Sequence, residues 1–177
     1  TAPTSTTAVI AVGGSGNGNN GDALTMTLDP SETVGTPTCT FTSGGASMAG
    51  TVTYTTSSPD SHIASVTVAD GDTDGVVTFS CTYSDLAGNA IASAITSAST
   101  GAVTIDNTHP TSSAVTIAVN NDGNANHGDV VTLTLDPSET VGTPTCTWTT
   151  SGAGALADTS VTYGTTGDDS HTAAVTI

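Results

Sequence analysis

Two Asp-Ser-His triplets, at residues 60–62 and 169–171, carry the residue types of a hydrolytic centre. Consecutive residues of a strand point to opposite faces of the sheet, so Ser61 and His62 are poorly placed to meet. The chain also has no G-x-S-x-G turn of the kind that presents a nucleophilic serine. The sequence therefore predicts that this protein is not an enzyme, and it predicts a strand-edge position for His62.

Acidic side chains could bind cations. The segment DGDTDG at residues 70–75 begins like the calcium loop of an EF-hand, but the twelfth position, which needs a bidentate glutamate, is Cys81. We therefore expect a tight acidic turn here rather than an EF-hand. Asp70, Asp72 and Asp74 are weaker candidates for Ca²⁺ ligands.

The three cysteines, Cys39, Cys81 and Cys146, could form a disulfide, bind zinc or stay free thiols. The chain has no C-x-x-C spacing, which disfavours zinc. A disulfide that closed the loop between Cys39 and Cys81 would stabilise the fold by up to roughly 4 kcal/mol in the chain-entropy model.

The charge balance excludes several functions. The 177 residues include 16 acidic side chains and no lysine or arginine, so the formal charge is −16. Nucleic-acid binding requires cationic side chains that displace counterions from phosphates, and attraction to anionic lipids requires them as well. No apolar run approaches the roughly 20 residues of a membrane span. We expect no nucleic-acid partner and no membrane insertion.

An internal repeat organises the chain. The segment GDALTMTLDPSETVGTPTCT, which starts at Gly21, recurs from Gly128 as GDVVTLTLDPSETVGTPTCT, 107 residues later. The sequence therefore predicts two domains, residues 1–107 and residues 108–177, and the second has no counterpart of the last strands of the first.

Alternation of apolar and polar residues predicts short strands and no helix. Seven strands in about 105 residues are typical of an immunoglobulin-like β-sandwich, so we predict an all-β fold of tandem sandwiches. The predicted strands of the first repeat are Ala8–Val12, Ala23–Asp29, Thr38–Thr42, Thr51–Thr55, Ile63–Val68, Val76–Tyr83 and a last strand with Val103 and Ile105.

Three motifs of the first repeat resemble a known family. They are the acidic turn ADGDTDG (69–75), the strand VVTFSCTYSDLAGN (76–89) and the boundary VTIDNTHPT (103–111). They are similar to the bacterial-type Ig-like, or cadherin-like, tandem repeats of large extracellular adhesins and surface fibres. The resemblance implies an extracellular or cell-surface location and a role as a spacer or fibre subunit. Most of these repeats lack a cysteine pair, so the cysteines are a departure.

In the immunoglobulin-like strand order, Cys39 and Cys81 lie on neighbouring strands with both side chains on core faces. We therefore predict a disulfide between them, which in turn predicts an oxidising, extracellular setting. Cys146 is the counterpart of Cys39, and its partner is expected just beyond Ile177.

Calcium is the predicted cofactor. Stacked domains would bring Asp106 and Asn107 of the linker near Asp136 and Glu139 of the second repeat, as carboxylates and linker oxygens trap Ca²⁺ at cadherin junctions. The corresponding pole of the first repeat carries Asp29, Glu32 and Asp85. The alternative is that these acids cap turns and are solvated.

The predicted function is structural or adhesive. The partners would be neighbouring repeats or other copies of the chain, joined as a spacer or as subunits of a surface fibre. A carbohydrate-binding Ig-like module, with glycans as partners, is the alternative. Such modules normally stack exposed aromatic rings on sugars, and only 3% of this chain is aromatic.

Overall fold

The structure is a computed structural model that describes residues 1–13, 16–58, 60–120, 123–149, 160–166 and 169–177. The chain divides into two compact units, Thr1–Thr108 (unit one) and His109–Ile177 (unit two). Across these described ranges the chain forms strands, turns and loops and no helix, so none of them holds a helix that could span a membrane.

Unit one is built from strands in which apolar residues alternate with threonine and serine. This alternation suits a half-buried sheet, because successive side chains point to opposite faces and β-branched residues fit a pleated surface. In β3, for example, every second residue from Leu24 to Pro30 is buried. The described strands of this unit are β1 (Ser5–Val12), β2 (Asn17–Gly18), β3 (Ala23–Pro30), β4 (Thr38–Ser43), β5 (Ala46–Ser47), β6 (Thr53–Ser58), β7 (Ser61–Thr67), β8 (Gly75–Thr82) and β9 (Thr104–Ile105).

The strands of unit one form two sheets. One has the order β1-β3-β7-β6 and the other the order β2-β9-β8-β4-β5. Neighbours are antiparallel except for the parallel pair β2 and β9. In the lettering used for immunoglobulin domains these are the ABED sheet and the GFC sheet with its extra edge strands. Unit one is therefore an immunoglobulin-like β-sandwich, as the sequence predicts.

The core lies between the two sheets. Leu24, Met26 and Leu28 of β3 are fully buried, and Phe41 and Phe79 of the other sheet belong to the same apolar cluster. Burying a large apolar side chain contributes about 1.5–3 kcal/mol, so these few residues carry much of the stability of a unit poor in aromatics.

Each predicted strand of the first repeat overlaps an observed strand, but the ends differ by up to three residues: β1, for example, starts at Ser5 rather than at Ala8. The strand predicted at Thr51–Thr55 begins at Thr53 instead. Val52 precedes it and packs against the core from outside the strand, which explains why the apolar alternation places the start too early. The two-residue strands β2 and β5 are too short to leave an alternation signal.

Unit two repeats one of these sheets. Its described strands are β10 (Ser112–Val119), β11 (Val130–Pro137), β12 (Thr162–Thr165) and β13 (His171–Thr176), in the antiparallel order β10-β11-β13-β12. The pairing of Ile117 with Leu133 repeats that of Ile10 with Met26. This sheet is thus the counterpart of β1-β3-β7-β6. Residues 145–149, the counterpart of most of β4, do not form a strand.

Candidate functional site: the acidic turn and the linker

The predicted disulfide is present. Cys39 on β4 and Cys81 on β8 are direct partners in the antiparallel register, with an S–S distance of 2.07 Å and a Cα–Cα distance of 4.1 Å. The bond joins two strands of one sheet, whereas antibody domains place theirs between the two sheets. Tyr54 of the opposite sheet accompanies it, because its hydroxyl accepts the Cys39 backbone N–H at 2.8 Å.

The acidic turn before β8 is closed by Asp72. This side chain is only 6% exposed, and its two carboxylate oxygens accept the backbone N–H groups of Ala49 at 2.8 Å and Ala69 at 2.9 Å. A buried carboxylate without hydrogen bonds would be costly, so these two donors explain how the charge is tolerated. Asp72 is a structural member of the turn, whereas Asp70 is exposed.

Asp74, at the end of the same turn, binds the linker. Its Oδ1 accepts the backbone N–H of Asn107 at 2.6 Å, and its Oδ2 accepts the hydroxyl of Thr108 at 2.5 Å. The backbone hydrogen bond from Asn107 and then the bond from Thr108 hold the pKa of Asp74 below its ordinary value of 3.8. A carboxylate that accepts such bonds favours its charged form.

Asn107 completes this attachment. Its side-chain amide donates to the backbone carbonyls of Ala69 and Asp72, both at 3.0 Å, while its Oδ1 is buried and accepts no hydrogen bond among the described residues. The Asp106 backbone N–H donates to the carbonyl of Gly18 at 2.9 Å. Residues 106–108 are therefore fixed on the sandwich that they leave, by a set of contacts that we call the linker clasp.

The other predicted pole of unit one is organised by Asp85. One of its oxygens accepts the backbone N–H groups of Ala87 and Asn89, and the other accepts the Asn89 side-chain amide at 2.7 Å. The Asn89 bonds lower the pKa of Asp85 most. Backbone pairing of Val34 with Asp85 places the loop that contains Glu32 at this pole, as the sequence predicts.

Asp29 and Asp60 also contribute to this pole. The Asp29 backbone carbonyl accepts the Thr6 hydroxyl at 2.6 Å. The hydroxyl of Thr33 donates to Asp60 at 3.0 Å, and the counterparts Thr140 and Asp169 repeat the bond at 2.7 Å. Sequence reasoning missed this contact, although the duplication of both residues was a signal that could have found it.

The two predicted calcium ligands of unit two have different surroundings. Asp136 is exposed, and its Oδ2 accepts the Ser113 hydroxyl at 3.0 Å. Glu139 has one carboxylate oxygen that is buried without a hydrogen-bond partner in the described part of the chain. No three His, Cys, Asp or Glu side chains within the described ranges come close enough to hold a metal ion. Calcium stays a prediction.

His62 does not occupy a strand edge, so that prediction was wrong. It is 5% exposed on β7, which lies between β3 and β6, and it faces Leu28 in the register. Its counterpart His171 is 7% exposed. Burial alternates along β7, so Ser61 lies on the other face of the strand. The side chain of His62 points inward because alternate residues of a strand share a face, so His62 lies on the same buried face as Ala64 and Val66.

Among the described residues, the hydrogen bonds of this site hold the linker on unit one. Its acids accept backbone and hydroxyl donors of their own unit, and the clasp joins residues more than 30 positions apart in sequence. Such bonds limit the directions in which the chain leaves the sandwich.

The chain matches no protein-family model, and no curated protein matches it in sequence. Solved structures similar to it include an I-band fragment of titin, I67–I69, at 11% identity and a TM-score of 0.46. That similarity covers 99% of this chain and 56% of the titin chain, so the chain spans about half its length. A chimeric titin Z1Z2–Z1Z2 tandem functionalised with a GRGDS peptide from fibronectin gives 13% identity, a TM-score of 0.30, and coverage of 98% and 84%. The immunoglobulin-like assignment therefore rests on strand order and register.

Proposed function

We propose that this protein is a structural spacer made of tandem Ig-like repeats, of the type found in bacterial surface adhesins and fibres. The observation that carries the proposal is the linker clasp. Asp74, Asn107 and Thr108 tie the linker to the sandwich through four hydrogen bonds that involve side chains. A spacer must restrict the orientation of each repeat relative to the next. A linker that is hydrogen-bonded to its sandwich restricts that orientation, whereas an unattached linker would let the domains reorient.

The disulfide supports an extracellular or cell-surface location for this spacer. Disulfides persist in oxidising compartments and are rare where thiols are kept reduced. Cys39 and Cys81 close a loop with a sequence separation of 42, which stabilises by up to roughly 4 kcal/mol in the chain-entropy model. A small core with few aromatics benefits from such a link, because β4 and β8 cannot separate while the disulfide is intact.

The test is the interdomain flexibility of the 177-residue chain with Asn107→Ala. This change removes the two bonds of the amide to Ala69 and Asp72. We expect small-angle scattering and NMR relaxation to show a broader distribution of interdomain orientations, with the signals of unit one otherwise unchanged. Asp70→Asn is the matched control, because Asp70 is exposed in the same turn. Equal flexibility of the variant, the control and the wild type would refute the spacer mechanism.

Carbohydrate binding finds less support. In unit one, Phe41, Phe79 and Tyr83 are buried, so these rings are not presented for stacking on a sugar. Tyr83 is the aromatic residue that lines the cavity of about 470 Å³ near Asp85, and it is buried. The other lining residues are Gly35, Thr36, Thr38, Thr82, Ser84, Asp85, Ala90 and Ile91. Binding of this protein to an array of immobilised glycans would favour the carbohydrate-binding function over the spacer function.

A further inference from the structure

Each unit has an aspartyl-prolyl peptide bond at the same place in its sheet. The bonds are Asp29–Pro30 at the end of β3 and Asp136–Pro137 at the end of β11. The chemistry of such a bond differs from that of other peptide bonds, because the aspartate carboxyl can close a five-membered ring on its own main-chain carbonyl carbon. The proline nitrogen also has no N–H, so it donates no hydrogen bond to the ladder of the sheet.

A β-bulge lies opposite each of these bonds. The register of β1 and β3 shifts between Ser5 and Thr7, which leaves Thr6 as the extra residue of the bulge. The register of β10 and β11 shifts at the corresponding place and leaves Ser113 as the extra residue. Both units therefore have a residue with a hydroxyl group beside the Asp-Pro bond.

The hydroxyl of the bulge residue binds the carbonyl of the Asp-Pro bond. Thr6 Oγ1 donates to the Asp29 carbonyl at 2.6 Å, and Ser113 Oγ donates to the Asp136 carbonyl at 2.8 Å. Ser113 Oγ also lies 3.0 Å from Oδ2 of Asp136, so it contacts both the carbonyl and the carboxylate. A hydrogen bond to the carbonyl oxygen would stabilise the negative charge that develops there when the carbonyl carbon is attacked.

The hydroxyl is present in both units although the adjacent residue differs. Thr6 corresponds to Ser113, whereas Thr7 corresponds to Ala114. A purely structural role is the alternative: the hydroxyl would satisfy a carbonyl that the bulge disturbs in the ladder. The two roles differ in one measurable quantity, the rate at which the Asp-Pro bond is hydrolysed in the folded protein.

The elements next to Asp29 carry few titratable groups. β1 has none, and β7 has His62 on its buried face. Asp60 precedes β7 and accepts a hydroxyl hydrogen bond, and Glu32 lies in the loop after β3. Since the whole chain has no lysine or arginine, neither of these cations can hold the Asp29 carboxylate in an ion pair.

We propose that the chain cleaves itself at its two Asp-Pro bonds in mildly acidic surroundings, with the hydroxyls of Thr6 and Ser113 activating the carbonyls. The protonated aspartate carboxyl adds to its own main-chain carbonyl carbon. A C–O bond forms, the C–N bond to proline breaks, and the carboxyl proton passes to the proline nitrogen. Water then opens the cyclic anhydride, which leaves one fragment that ends in aspartate and another that begins with proline. Water is the only co-reactant.

Cleavage in unit one would limit the lifetime of the spacer. The bond Asp29–Pro30 ends β3, which lies between β1 and β7 in its sheet. Cys39 and Cys81 both follow the bond in sequence, so their disulfide does not join the two fragments. Residues 1–29 would then stay on unit one through noncovalent contacts alone.

The experiment incubates the folded 177-residue chain at about pH 4, where an aspartate carboxyl is partly protonated, and follows fragments by mass spectrometry. We expect fragments with the masses of residues 1–29 and 137–177, and an intact chain at neutral pH. Thr6→Val should slow cleavage at Asp29–Pro30 by about tenfold or more, as expected for the loss of one donor to a developing oxyanion. It should leave the rate at Asp136–Pro137 unchanged. Ser113→Ala should have the opposite selectivity.

Thr7→Val is the matched control, because it removes a hydroxyl of the same strand at a position where unit two has Ala114. It should be cleaved like the wild type at both bonds, and circular dichroism checks that each variant is folded. In concentrated urea the hydroxyls no longer meet the carbonyls, so Thr6→Val and the wild type should be cleaved at one rate. An intact wild type at about pH 4, or equal rates for folded Thr6→Val, Thr7→Val and wild type, would overturn the proposal.

Discussion

At Asp74, a single carboxylate joins the sandwich to its linker, and this predicts a dependence of stability on pH. Hydrogen bonds from Asn107 and Thr108 lower its pKa below 3.8 in the folded state. A lowered folded pKa gives a contribution that is complete above the unfolded pKa and is lost as the pH falls through the folded one. We expect Asp74→Asn to melt at a lower temperature than the wild type at pH 7, and the difference to vanish in strong acid.

The measurement is the melting temperature of both proteins between pH 7 and pH 2. Asp85 also has a lowered pKa, but it is present in both proteins and cancels in the difference. Asp70→Asn in the same turn should melt like the wild type throughout, since Asp70 is exposed. A gap between Asp74→Asn and the wild type that persisted at pH 2 would show that the effect is not the titration of this carboxylate.

At the scale of elements, the turn after β4 and the acidic turn depend on close backbone approach. Gly44 has φ of +53°, and a Cβ there would collide with the Asp74 carbonyl and lie 2.7 Å from the Thr73 methyl. Gly45 next to it has φ of +85° but open space around the same position. Both alanine variants carry the cost of a left-handed backbone, about 1–2 kcal/mol, and only Gly44→Ala adds the collision.

We therefore expect Gly44→Ala to destabilise unit one by about 2–4 kcal/mol and Gly45→Ala by about half of that. Urea unfolding followed by NMR signals of unit one gives both values, whereas fluorescence does not, because Trp148 lies in unit two. Equal effects of the two substitutions would mean that the approach of the two turns does not matter. Since Asp74 belongs to the contacted turn, Gly44→Ala should also loosen the linker.

For the whole molecule, the charge of −16 without a single lysine or arginine predicts a response to divalent cations. Carboxylates that find no cationic side chain repel one another, and Ca²⁺ relieves the repulsion. We expect Ca²⁺ to raise the melting temperature relative to chelator, by a stabilisation of about 2.7 kcal/mol at a hundredfold excess over Kd.

The predicted ligands allow a sharper version of this test. Asp136→Asn and Glu139→Gln should each reduce the calcium-dependent increase if these residues bind the ion. A loss with Asp70→Asn instead would place the ion at the acidic turn. Sodium chloride at matched ionic strength separates binding from general screening. An increase in melting temperature that salt alone reproduces would mean that the acids form a solvated surface.

The sequence alone determined much of this molecule. Alternation of apolar residues along Leu24, Met26 and Leu28 identified an inward face because the side-chain period of a strand is two. The duplication identified equivalent positions, and strand order brought Cys39 and Cys81 together. These features are local, or they repeat, so one sequence suffices to recognise them.

Tertiary structure decided the rest. Three aspartates at alternate positions of one turn look alike in sequence, but Asp72 is buried as a bridge to Ala49, Asp74 binds the linker, and Asp70 is exposed. Their roles depend on donors 23 to 34 residues away, which only the packing of β9 and the neighbouring turns supplies. The exposure of Ile117 was equally hidden, because an apolar residue on a strand is buried only where a second sheet covers it.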